Sequence, residues 1–150
     1  MFEGHFTLPS ALSPLDWHVH ELLYGYLAAA VAGFLLTAIP NWTGRLPVVG
    51  RPLGLLVALW GAGRVAMLVS GAIGGWIGAA IDVAFLVALT GLTAREVWAV
   101  TNRRNLRVVG LVGLMAIGNA VFHVEALVYG TATHGTRIGI AAAVVLISVI

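Results

Sequence analysis

The chain has no cysteine and no lysine, and only 9% of its 150 residues are charged. Without thiols there can be no disulfide, zinc–thiolate site, cysteine-ligated iron–sulfur cluster or covalently attached c-type haem. A metal or haem would have to be held by histidine, carboxylate, methionine or backbone oxygen. Without lysine, the eight positive side chains are all arginines. They are scattered over short connections, which speaks for membrane orientation and against a nucleic-acid footprint. The N-terminal stretch carries Glu3, His5 and Asp16 but no arginine, so it lacks the positive start of a signal peptide. A soluble domain carries roughly a quarter of its residues as charges. Here hydrophobic residues make up 60%, and the solvent for most of the chain is expected to be lipid.

What is present is a series of apolar runs. Four of them, Leu22–Ile39, Leu53–Ser70, Ala72–Leu92 and Val108–Tyr129, are long enough or nearly so to cross a hydrocarbon core that takes about 20 helical residues. A fifth, Ile138–Ile150, is purely apolar but covers only part of a span. The expected fold is an all-α integral membrane bundle of four transmembrane helices plus a truncated fifth. Residues 1–13 read as a short extracytoplasmic tail and residues 14–150 as a single transmembrane domain, part of a longer protein. Ser13-Pro14-Leu15-Asp16 offers an N-cap, a first-turn proline and a capping-box acid, which predicts a first helix starting near Pro14. Pro40, followed by Asn41-Trp42-Thr43-Gly44, is expected to end it.

The arginines set the expected orientation. Arg45, Arg51, Arg95, Arg103, Arg104 and Arg107 fall on one side of the alternating loops, against Arg137 alone on the other. That bias places the N-terminus outside the cytoplasm. The sequon Asn41-Trp42-Thr43 then lies on the cytoplasmic side and carries no glycan. Gly71, Gly74, Gly75 and Gly78 give small-residue spacings at the second hairpin, read as close helix packing.

Ionisable groups inside spans call for a partner or a task. Counting about 1.5 Å per residue back from the tight turn at Ser70-Gly71-Ala72 brings Arg64 and Asp82 to similar heights. They are expected to form an ion pair within the bundle, with a proton-relay or substrate role for Asp82 as the alternative. In the fourth span Asn119 and His123 share a face and Glu125 points elsewhere. His123 lies in the outer part of that span, and His18 and His20 lie at the outer end of the first. Three histidines thus converge on one leaflet. His18 and His20 are two apart and face nearly opposite sides of a regular helix, so one is expected as a ligand and the other as a hydrogen-bonding or interfacial residue. Glu21, three residues after His18, is positioned to orient it, while His20 and Tyr24 share the other face. Two readings stay open from the residues alone: a metal or haem site, or an interfacial belt with Trp17 and Tyr24 in which the histidines are merely wet. His5 and His134 read as bystanders in tail and loop.

Trp17-His18-Val19-His20-Glu21-Leu22-Leu23-Tyr24-Gly25-Tyr26 resembles the WHxHE(M/L)LFG(F/Y) opening of the NnrS family. The run Gly33-Phe34-Leu35-Leu36-Thr37-Ala38-Ile39-Pro40-Asn41-Trp42-Thr43-Gly44 is similar to that family's continuation, and Arg104-Asn105 and the stretch from Asn119 to His123 also fit its pattern. The resemblance implies a multi-pass protein of the bacterial inner membrane, tied to nitric oxide and nitrosative stress and often found in denitrifiers. It implies haem and copper as cofactors, with His18, His20 and His123 as candidate ligands by residue match. Family members are longer, with a span before the WHxHE block and several after this chain's last residue, so a missing remainder of the parent chain is also implied.

Three functions compete at this stage. The first is a histidine-ligated haem or copper membrane protein that meets nitric oxide in the bilayer, with no visible protein nucleophile or paired catalytic carboxylates. The second is a transporter or permease with Arg64, Asp82 and Glu125 in its pathway. The third is a packing subunit without chemistry, in which the histidines do nothing.

Overall fold

The computed structural model describes residues 9–99 and 105–149. Glu3, His5, Arg103 and Arg104 lie outside the described residues. Among the described residues every regular element is helical. Four helices are long and apolar enough to cross a membrane: α1 (Pro14–Thr43), α2 (Arg51–Leu68), α3 (Gly75–Trp98) and α4 (Leu106–Tyr129). A shorter apolar helix, α5 (His134–Val149), follows. The chain is an all-α protein with the helices of a multi-pass membrane protein, and its surface of leucine, valine and isoleucine suits lipid tails.

α1 begins where the capping signals place it. The Ser13 hydroxyl accepts from the Asp16 amide at 3.1 Å and donates to the Asp16 carboxylate at 2.7 Å, which satisfies donors the first turn leaves free. The helix does not end at Pro40. It runs one further turn to Thr43, because the stop is supplied by Gly44, whose φ of 66° is left-handed and whose amide bonds the Pro40 carbonyl at 2.8 Å. A proline removes one amide from the ladder and can be carried near a helix end; the glycine cap ends the helix. Glu21–Leu27 widens into a π-helical segment, a feature that recurs at functional sites.

The second reversal is broader than the expected Ser70–Ala72 turn. Ser70–Ile73 forms one helical turn of its own, and Gly74, with φ of 98°, turns the chain into α3. The described end of the N-terminal stretch docks on this hairpin. The Gly71 amide donates to the Pro9 carbonyl at 2.9 Å, and the Ala11 amide donates to the Ser70 hydroxyl at 2.8 Å.

Water does not drive helices together inside lipid, so close backbone approach has to. A methyl group added at Gly63 would sit 3.3 Å from the Asp82 Cα, and one at Gly78 would sit 3.3 Å from the Ala66 carbonyl. α2 and α3 therefore meet through glycine, as the small-residue spacing suggests. α4 and α5 do the same where Gly135 lies directly on the Phe122 backbone. Glu125 points away from Asn119 and His123 and caps α5: its carboxylate accepts from the His134 amide at 3.2 Å, the His134 ring at 2.6 Å and the Gly135 amide at 2.8 Å. That is a structural task, and it gives His134 a partner. At the opposite end Arg45 Nε donates to the buried Glu96 carboxylate at 2.6 Å, tying the α1–α2 loop to α3.

Candidate metal centre

Four helices bring polar side chains to one level, about two helical turns in from the end that holds the N-terminal stretch, the α2–α3 turn and the α4–α5 loop. α1 contributes His20 and Glu21, α2 contributes Arg64, α3 contributes Asp82, and α4 contributes Asn119 and His123. His20, Asp82, Asn119 and His123 are all buried, at 2% exposure or less.

Asp82 is the hub. Its Oδ2 lies 3.1 Å from His20 Nε2 and 3.0 Å from His123 Nε2, and accepts from Asn119 Nδ2 at 2.7 Å. Its Oδ1 accepts from Arg64 Nη2. Arg64 Nη1 donates to Glu21 Oε1 at 2.7 Å, and that same oxygen lies 3.4 Å from His20 Nδ1. Asn119 Oδ1 closes the group at 3.0 Å from His20 Nε2. An unpaired charge at this depth would be costly; here each carboxylate meets the guanidinium and each imidazole meets a carboxylate. One donor atom each from His20, Asp82 and His123 lie within 4.8 Å of one another. Two imidazoles and a carboxylate converging in this way are a donor set for a transition-metal ion. Tyr24 and Phe122 wall the cluster, with ring centroids 5.6 and 5.2 Å from that of His20. The Tyr24 hydroxyl donates to the Gly135 carbonyl at 2.6 Å, which joins the wall to α5.

A family model described as NnrS protein matches residues 1–150. The chain belongs to the NnrS family. No curated protein matches it, and no solved structure does.

Within this NnrS chain the structure separates the residues of the WHxHE block. His20 turns into the bundle. His18 is exposed, and the structure does not bring it to the cluster. Glu21 sits beside His20 and Arg64, away from the pairing with His18 that its spacing suggests. The Arg64 guanidinium holds the Glu21 carboxylate on the bundle side, while His18 faces outward. His20 and Tyr24 do lie together. Arg64 and Asp82 form the expected ion pair, and Asn119 and His123 reach the cluster from one face of α4.

Sequence reasoning did not place Asp82 among the metal-binding candidates, or give Glu21 its contact with Arg64. The count that levels Arg64 with Asp82 gives the other side chains a common depth, but not their contact across four helices. Stepping about two turns along α1 from its start, and back along α4 from its end, arrives at His20 and His123.

Proposed function

We propose that this NnrS protein binds copper through His20, Asp82 and His123, and acts at the bacterial inner membrane in the response to nitric oxide and nitrosative stress. The observation that carries the proposal is the three-donor cluster, closed to water within the bundle. Imidazole with carboxylate suits copper, and an ion seated there would take the place of the Nε2–H bonds to Asp82. When bound, copper supplies a centre able to exchange an electron and to take up a small diatomic ligand. The protein's part is to hold both imidazoles and the carboxylate in register through Asn119 and Arg64. Tyr24 and Phe122 exclude water, and a membrane-permeable gas can arrive through lipid.

Haem is a different matter at this cluster. The His20 and His123 rings are 4.8 Å apart between centroids, with both Nε2 atoms on one carboxylate oxygen. A porphyrin does not fit between them. Among the three predicted ligands, exposed His18 has the open surroundings a macrocycle needs, and a haem reading of this chain rests on it. The transport reading has less support, since Arg64 is bonded to both Glu21 and Asp82 and Glu125 is committed to the α5 cap.

The test is copper and iron analysis, with oxidised and dithionite-reduced absorption spectra, on detergent-purified protein and its His18→Ala, His20→Ala and His123→Ala variants. Near-stoichiometric copper in the parent, lost in His20→Ala and His123→Ala but kept in His18→Ala, is the expected result. Cofactor-free parent protein with an intact fold would sink the proposal, and flux abolished by Asp82→Asn would then favour transport.

A further inference from the structure

The copper reading leaves open which oxidation state the site takes, and the charges around it bear on that. Among the described residues two carboxylates face the cluster, Asp82 and Glu21, and one cation, Arg64, touches both. Histidines bind a metal as neutral imidazoles. The protein groups around a bound ion therefore sum to one negative charge. In a buried, poorly solvated setting an uncompensated charge is strongly disfavoured. A singly charged ion brings the centre to neutrality, whereas a doubly charged ion leaves it positive.

Arg64 is held where this balance needs it. A methyl group at Gly25 would overlap the guanidinium, so the absence of a side chain there gives Arg64 its passage to Glu21. Trp60, one turn before Arg64 on α2, donates to the Gly25 carbonyl at 3.0 Å and fixes the two helices at that point.

We infer that Arg64 is a specificity-determining residue that shifts the preference of this centre toward Cu(I) and away from Cu(II) and Zn(II). The inference rests on the copper reading above and adds the ion's charge to it. Its logic is electrostatic. Any change in the local potential acts twice as strongly on a divalent ion as on a monovalent one. Removing the guanidinium favours divalent ions, and removing the Glu21 carboxylate favours Cu(I) further.

The experiment is a competition titration of the purified protein with Cu(I), Cu(II) and Zn(II), together with the reduction potential of the bound copper. It uses Arg64→Gln, Arg64→Lys and Glu21→Gln beside the parent. Arg64→Gln is expected to shift the Cu(I)-to-divalent affinity ratio toward divalent ions by about tenfold or more, and to lower the potential. Glu21→Gln is expected to move both quantities the opposite way, and Arg64→Lys to restore parental values. A merely structural role for Arg64 would not give opposite signs in the two charge-removing variants. Copper bound with equal shifts in Arg64→Gln and Arg64→Lys, or with no shift in either charge-removing variant, overturns the inference and leaves the copper site standing. A parent that binds neither Cu(I) nor Cu(II) overturns the site itself. If Arg64→Gln fails to fold, the sign of the Glu21→Gln shift decides.

Discussion

At the scale of single residues, the cluster is a case of one carboxylate serving many donors. Asp82 accepts from Arg64, Asn119 and the two histidines. Asp82→Asn keeps its shape but removes the charge and turns one acceptor into a donor. Thermal unfolding in detergent should show a loss of about 3–5 kcal/mol, the cost of leaving a buried partner uncompensated, together with loss of bound copper. Tyr24→Phe removes a single hydrogen bond to the Gly135 carbonyl. It should cost about 1 kcal/mol and leave copper content unchanged. Equal damage from the two substitutions would mean that Asp82 is no more than a packing residue. The histidines were legible from the sequence because a polar side chain in an apolar run stands out. Asp82 was legible only as the partner of Arg64, because a hairpin fixes two helices against each other and says nothing of a third or fourth. Glu21 pairs elsewhere than its spacing to His18 suggests because Arg64, from another helix, takes its carboxylate.

At the scale of elements, the helices were readable from the length of their apolar runs, and their ends from glycine more than from proline. Pro40 shows the difference, since the helix passes through it to the left-handed Gly44. The π segment was not readable. Its Gly25 weakens an α-helix without demanding a π turn, and the Trp60 bond to Gly25 that accompanies it comes from another helix. Packing through glycine gives a prediction at this scale. A methyl group at Gly135 would collide with the Phe122 backbone, while one at Gly33 meets nothing within 4 Å. Gly135→Ala should destabilise by about 1–3 kcal/mol or more as α5 is forced away from α4. Gly33→Ala should be neutral or slightly stabilising, as expected for alanine in an open helix position. Melting curves of the two variants check this, and comparable melting temperatures would show that α4 and α5 are not locked through Gly135.

At the scale of the whole molecule, the ends of the bundle differ in charge, and that difference bears on which leaflet holds the cluster. Arg45, Arg51, Arg95 and Arg107 lie at one end of the helices, and Arg137 lies near the other. Under the positive-inside rule we propose the orientation in which the arginine-rich end faces the cytoplasm, with the cluster about 10 Å below the outer ends of the helices. The chain lends itself to a direct check because it has no cysteine of its own. Leu46, exposed in the α1–α2 loop, and Thr131, exposed between α4 and α5, mark the two ends. A membrane-impermeant maleimide applied to spheroplasts should label Thr131→Cys at once, and Leu46→Cys only after the membrane is permeabilised. The reverse pattern would put the cluster in the inner leaflet, so that copper would have to reach it from the cytoplasm. With the expected pattern the ion arrives from the outer side, past the Pro9–Leu12 segment that lies across the α2–α3 hairpin. Under the proposed function nitric oxide would need no such route, since it can partition into the lipid around the bundle, and the two would reach the same centre by different paths.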